Sequence, residues 1–184
     1  MNETNKKEVA IVNLSSRLNG NCSIIAKYML EVDNNAKIYE FGKMNFSNCG
    51  KCDYECFKMS PCPLKDDLSI LFKELVEAKE IIFIVPNYCG YPCANYFSFN
   101  ERRCELFSIN RAMLMTYLSI PKRFIIVSNS DINLMKNALI YQQNENMEFD
   151  YLQIKSRDYG SQSIGIWANS EKLKEQIVSY YQSK

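Results

Sequence analysis

Three stretches of this chain carry side chains whose types and spacing could do chemistry. Cys49, Cys52, Cys56 and Cys62 form a C-x2-C-x3-C-x5-C pattern closed by Pro63. Four thiolates on a compact, proline-interrupted loop are what a 4Fe–4S cluster requires, because each iron takes one cysteine sulfur. Structural zinc is a second reading, although four-cysteine zinc sites usually pair two knuckles over a longer gap, and reduced thiols are a third. The second stretch, Ser15-Ser16-Arg17-Leu18-Asn19-Gly20-Asn21-Cys22-Ser23, separates an apolar run from a helical pattern. Its backbone N–H groups and hydroxyls would converge on the positive end of a helix dipole, where an anion such as phosphate belongs. It matches neither the Walker pattern nor G-x-G-x-x-G, and a polar loop capping a helix is the plainer alternative. The third stretch, Pro86-Asn87-Tyr88-Cys89-Gly90-Tyr91, offers two flat aromatic faces for stacking and a glycine that leaves backbone N–H groups approachable. Ordinary loop aromatics are the alternative there.

Other residues invite chemistry less specifically. Cys89 and Cys93 could exchange electrons as a thiol pair, but C-x3-C is an unspecific spacing. Asp66 and Asp67 read as acidic residues at a helix start rather than as a general acid/base pair, since adjacent carboxylates there point apart. Arg102 and Arg103 read as a solvated helix face. Histidine is absent, which excludes Ser-His-Asp and Cys-His catalysis, histidine zinc sites and histidine haem ligation together.

The elements that must position these residues follow from hydrophobic periodicity. Glu8 to Leu14 reads as a strand, and Ile24, Ile25, Tyr28 and Met29 mark the first helix. Ala36 to Phe41 is a second strand, and the cysteine-rich segment at about 47–65 is an inserted loop. Asp66 and Asp67 begin a helix with an apolar stripe at Leu68, Leu71, Phe72, Leu75 and Val76. Ile81 to Val85 suits a strand buried on both faces, closed by Pro86. Phe97 to Leu118 is helical in pattern, Phe124 to Val127 a fourth strand, and Asp131 caps a helix through Tyr141. Phe149 to Ile154 is a fifth strand, and Asn169 or Ser170 caps a last helix ending near Tyr181. Five strands alternating with five helices imply right-handed parallel crossovers, hence a three-layer α/β/α sandwich with ligands bound beyond the carboxyl ends of the strands. The expected organisation is one domain over residues 1–184.

At this point the sequence resembles a known family, the flavodoxin-like NAD(P)H-dependent FMN reductases, and in particular their iron-sulfur flavoprotein branch. The family's loop after the first strand reads Gly-Ser-Pro-Arg-x-x-Gly-Asn-Thr/Ser, and Ser15, Arg17, Gly20 and Asn21 match it. Leu14, Ser16 and Cys22 stand where the family has Gly, Pro and Thr. The resemblance implies that Ser15, Arg17, Asn21, Cys22 and Ser23 hold the phosphate of FMN. It also implies that Pro86, Asn87, Tyr88, Cys89, Gly90 and Tyr91 cover the flavin ring, with a backbone N–H near Gly90 reaching flavin N5 or O4. Phe99-Asn100-Glu101-Arg102 resembles the family's Phe-x-Asp-Arg, while Phe97 replaces a lysine and Ser128-Asn129-Ser130 lacks the family's glycines. The branch carries four compact cysteines just before an Asp-Asp pair, which implies a 4Fe–4S cluster on Cys49, Cys52, Cys56 and Cys62.

The resemblance therefore implies a five-stranded parallel sheet in the order 2-1-3-4-5 and an FMN-dependent oxidoreductase. Electrons would come from NAD(P)H or ferredoxin and pass to a small-molecule acceptor, with no obligatory acid/base side chain. A homodimer or homotetramer is likewise implied. A non-enzymatic flavodoxin-like electron carrier, and a flavin-free metal-binding or regulatory module, are the alternatives. Composition narrows the classes further. The 184 residues carry 22 basic and 21 acidic side chains, which argues against a nucleic-acid partner or an anionic membrane surface. The longest apolar run, Ile81 to Pro86, is far short of the ~20 residues that span a bilayer. Met1 to Leu14 lacks the pattern of a secretory signal, so a cytoplasmic protein whose cysteines are reduced thiols or metal ligands is expected.

Overall fold

The computed structural model describes residues 7–50, 52–53, 55–58, 62–103, 110–160, 167 and 169–183. Six strands are present among them: β1 (Lys7–Asn13), β2 (Lys37–Glu40), β3 (Ala78–Tyr88), β4 (Tyr91–Pro92), β5 (Lys122–Val127) and β6 (Asp150–Ile154). The α-helices are α1 (Asn21–Val32), α2 (Asp67–Leu75), α3 (Ala94–Arg102), α4 (Arg111–Ser119), α5 (Asn133–Leu139) and α6 (Glu171–Gln182). The sheet runs β2-β1-β3-β5-β6, all parallel, with β4 pairing antiparallel to β3 off this path. Leaving the two-residue β4 aside, this is the expected order 2-1-3-4-5.

Period-two alternation sends the strand side chains to two separate cores. Ala10, Val12, Ile81, Phe83, Val85, Phe124 and Ile126 face α2, α3, α4 and α5, in a core that includes Leu71, Phe99, Tyr117 and Met135. Val9, Ile11, Ile82, Ile84 and Ile125 face α1 and α6 with Ile25, Met29, Trp167 and Ile177. Both faces of the central strands are thus covered, which is why β3 and β5 read as continuous apolar runs. On the first face Phe99 lies among the rings of Phe41, Phe72 and Phe83, at centroid distances of 6.4, 5.0 and 5.5 Å.

Several boundaries differ from expectation for identifiable reasons. Pro86 does not close β3, which continues to Tyr88. The Ile84 carbonyl accepts the Leu14 N–H, so Ile84 turns its backbone toward β1, and Pro86, two residues on, turns the same way. By then β1 has ended, so the missing proline N–H removes no ladder bond. The single helix expected over Phe97 to Leu118 is two: α3 ends at Arg102, and Asn110 caps α4 by accepting the Met113 N–H at 3.0 Å. Residues 104–109, Cys104 among them, lie outside the described residues. Asp131 stands one position before the cap residue of α5, Ile132, and accepts the Asn133 N–H instead. Ser170 caps α6. Among the described residues, no helix is long and apolar enough to cross a membrane.

Candidate functional site

The sheet reverses its winding between β1 and β3, and the loops after these strands and after β5 part there, as at ligand sites of open α/β sheets. A cavity of about 770 Å³ opens at this point, within the range of cofactor pockets. Ser15, Arg17, Leu18, Gly20, Asn21 and Cys22 line one end, Pro86, Asn87, Tyr88 and Cys89 a second side, and Val127, Ser128, Asn129, Ser130 and Ser156 a third.

The first end is built to meet an anion. Gly20 is the N-cap residue of α1 and supplies no side-chain cap, so the N–H groups of the first turn remain available, with the helix dipole behind them. A Cβ at Gly20 would stand 3.2 Å from the Cβ of Arg17, so a larger residue here would press on the loop. Ser15 Oγ accepts the Arg17 N–H at 3.1 Å, and Ser15 N donates to Asn13 Oδ1 at 3.0 Å. Leu14 points its side chain into the core while its carbonyl accepts from Asn95 Nδ2 at 2.9 Å and from Cys93 Sγ at 3.3 Å. The larger residue at position 14 is therefore absorbed by the core and leaves the cavity unfilled.

Ser23 belongs to the support of this loop rather than to the cavity lining. It is buried, accepts from Asn13 Nδ2 at 3.2 Å and donates to Glu40 Oε2 at 3.3 Å. Cys22 does line the cavity, and burial first, then neighbouring Cys93, pushes its thiol up to about 12. Burial likewise raises Cys93 to about 11. Both are neutral thiols at physiological pH, which suits donors to the loop rather than nucleophiles. Cys89 is exposed and Cys93 buried, so the C-x3-C spacing presents them to different surroundings.

At the aromatic end β3 turns back on itself. Cys89 and Gly90 have φ of +54° and +90°, and two positive values in a two-residue loop mark a type I′ hairpin. Tyr88 and Tyr91 form a cross-strand pair at its end and are 53% and 51% exposed. Tyr88 and Cys89 line the cavity, and Gly90 and Tyr91 complete the turn beyond it. The Gly90 N–H donates to Asn87 Oδ1 at 2.8 Å, so among the backbone amides of this turn that of Gly90 is engaged within the protein. The third side carries no local sequence signal beyond its lack of glycines. Asn129 Nδ2 donates to Ser156 Oγ at 2.7 Å, its Oδ1 accepts the Arg157 N–H, and Gln153 Nε2 donates to the carbonyls of Ser128 and Ser130.

The motif pieces outside the cavity are structural. Arg102, expected on a solvated face, is 1% exposed. Its guanidinium grips both Asp66 oxygens at 2.7 and 3.0 Å, the Ser47 carbonyl at 2.6 Å and Ser69 Oγ at 3.1 Å. Asp66 also caps α2. Burial opposes the Asp66 charge, yet Arg102 and the amides of Ser47 and Ser69 hold its carboxyl down at about 2. The base of the cysteine-rich insert is thus tied shut. Within it Cys56 and Cys62 are buried and Cys49 and Cys52 half-buried. Among the described residues, no three side chains of Cys, His, Asp or Glu gather as a metal-binding group, so the cluster expected on these four cysteines finds no support.

No family model and no curated protein sequence matches the chain. Solved structures do. The chain is similar to the Trp repressor binding protein from Bacillus subtilis, with a TM-score of 0.63 and 12% identity over 96% of this chain and 98% of that one. It is similar to the flavoenzyme NAD(P)H:(acceptor) oxidoreductase FerB from Paracoccus denitrificans, with a TM-score of 0.57 and 13% identity over 95% of each chain. A FMN-dependent NADH-azoreductase from Bacillus anthracis, in complex with FMN, matches with a TM-score of 0.57 and 10% identity over 96% of each chain. The protein therefore has the flavodoxin-like fold, shared with FMN-dependent NAD(P)H oxidoreductases and azoreductases.

Proposed function

We propose that this chain is an FMN-dependent oxidoreductase that draws electrons from NAD(P)H and delivers them to a small acceptor. One observation carries the reading: a single cavity at the sheet's switch point joins a helix N-terminus without a side-chain cap to the exposed Tyr88. That pairing suits a ligand with a phosphate at one end and a planar ring at the other. The residues fit FMN in kind, because the cradle over Gly20 is clear and the volume is adequate. FMN would supply the hydride and electron chemistry, which agrees with a chain that has no histidine.

The protein's own part is binding and orientation. Arg17, Ser15 and the first-turn amides of α1 would neutralise and hold the phosphate, while Tyr88 would offer a face to the ring. Neutral Cys22 adds a weak donor without adding charge. NAD(P)H donors and FMN are named for the structural neighbours, and the same pairing is proposed here. The interior of a cell is the proposed location.

Titration of the purified protein with FMN and with riboflavin, followed by flavin fluorescence, tests the reading. The expected result is binding of FMN at least tenfold tighter than riboflavin, with Arg17→Ala narrowing that difference, and oxidation of NADH or NADPH by the loaded protein. Absence of FMN binding would overturn it. Binding without turnover of either nucleotide would leave an electron carrier.

A further inference from the structure

β3 outruns its neighbours. Asn13, the last residue of β1, pairs with Ile84, and Val127, the last of β5, pairs with Pro86. From Asn87 onward the ladder has no strand beside it except the hairpin's own return, and two cross-strand pairs alone hold such a hairpin weakly. Asn87 supplies what the ladder no longer does. Its Oδ1 accepts the Gly90 N–H at 2.8 Å, and its Nδ2 donates to Ser128 Oγ at 2.9 Å.

The far end of this link is itself fixed. Ser128 N donates to the Ile154 carbonyl at 2.9 Å, Ser128 Oγ donates to the Ser130 carbonyl and accepts its N–H, both at 3.1 Å, and Gln153 Nε2 braces the carbonyls of both serines at 3.0 and 2.9 Å. The loop after β5 is therefore a fixed anchor to which Asn87 ties the hairpin. Both Asn87 and Ser128 line the cavity.

We infer that Asn87 is a positioning residue: it latches the tyrosine-bearing hairpin to the loop at residues 128–130 and so sets the width of the cavity at its aromatic end. The inference rests on the FMN reading for the identity of what that end receives. The hairpin then acts on a ring through shape and aromatic faces, since the Gly90 amide is committed to the latch. An amide side chain is needed because the two ends of the link demand one acceptor and one donor.

The test uses Asn87→Ala, Asn87→Asp and Ser128→Ala, with amide hydrogen exchange of residues 87–92 in the ligand-free protein and FMN affinity by fluorescence quenching. Each latch bond is worth about a tenfold change. Asn87→Ala is expected to speed exchange in this segment by about tenfold or more and to weaken FMN binding by about tenfold. Protection of residues 15–23 by inorganic phosphate should stay as in the parent. Asn87→Asp keeps the acceptor for Gly90 but loses the donor to Ser128, whose hydroxyl already donates to the Ser130 carbonyl, so it should recover only part of the exchange effect. Ser128→Ala, the milder change, should speed exchange in the same segment. Unchanged exchange at 87–92 overturns the latch, as does loss of phosphate protection in step with FMN affinity, which would mean general unfolding. A parent that binds no FMN while Asn87→Ala still speeds the exchange overturns the FMN reading and leaves the latch standing.

Discussion

Gly42 shows how finely single residues set the anion end. It follows Phe41, which is buried against Phe46 and Phe99, and a Cβ placed on it would stand 3.0 Å from the Ser15 carbonyl and 3.1 Å from that of Ser16. Both contacts are backbone, so the loop itself would have to move. Gly42→Ala is expected to keep the fold and weaken FMN binding several-fold, with the change lost when riboflavin replaces FMN; equal weakening of both ligands would refute a local effect on the phosphate loop. Lys122 makes a different point. It is buried, donates to the carbonyls of Tyr117 and Ile120 at 2.5 and 2.9 Å, and is pulled down to about 7 by burial and then by Arg103. Between about pH 7 and the ordinary lysine value the unfolded chain holds a proton that the folded one has shed, so stability rises with pH across that window. Lys122→Met should remove this slope. Melting temperatures of the two proteins from pH 7 to 10 are expected to differ in pH dependence, and parallel curves would refute the assignment.

At the scale of elements, the Arg102–Asp66 pair joins α3 to the start of α2 and to the mouth of the cysteine-rich insert. The Asp66 carboxyl lies below its unfolded value, so its contribution is complete above that value and is lost as pH falls toward about 2. Asp66→Asn, which leaves Arg102 buried without its partner, should cost about 3 kcal/mol near neutral pH. The gap from the parent should close as pH falls from about 4 to 2, measured by urea unfolding; a gap constant with pH would show that the charge is not the cause. This clamp also shows what sequence reading can reach. The helix-start role of Asp66 is a local signal, visible in its acidic type and position, whereas its partner thirty-six residues away carries no local mark. The strands and α1, α2 and α6 were legible because periodicity and capping residues are local. The break between α3 and α4 was not, since Asn110 looks like any polar helix residue. The same division holds for the cavity: residues 15–22 and 86–89 announce themselves by composition, while Ser128 to Ser130 and Ser156 join them only because the sheet brings three strand ends together.

Across the whole molecule, the two edges of the sheet do different work. Glu80 and Arg123 pair at 2.7 and 2.8 Å near the amino ends of β3 and β5, and Arg123 also donates to the carbonyls of Tyr180 and Tyr181 at the end of α6. The opposite, carboxyl edge holds the cavity. Arg123→Met is accordingly expected to lower stability by about 3 kcal/mol while FMN affinity stays within about twofold; a parallel loss of affinity would show that the edges are coupled. The unequal reach of β1 and β3 has a wider consequence. Four residues of β3 beyond the level of Asn13 project about 13 Å, and the recess is the space beside that overhang. Its depth is a matter of backbone length, not of the bulk of the residues lining it. Inserting or deleting residue pairs beyond Val85, the last core residue of β3, would resize the recess for longer or shorter guests.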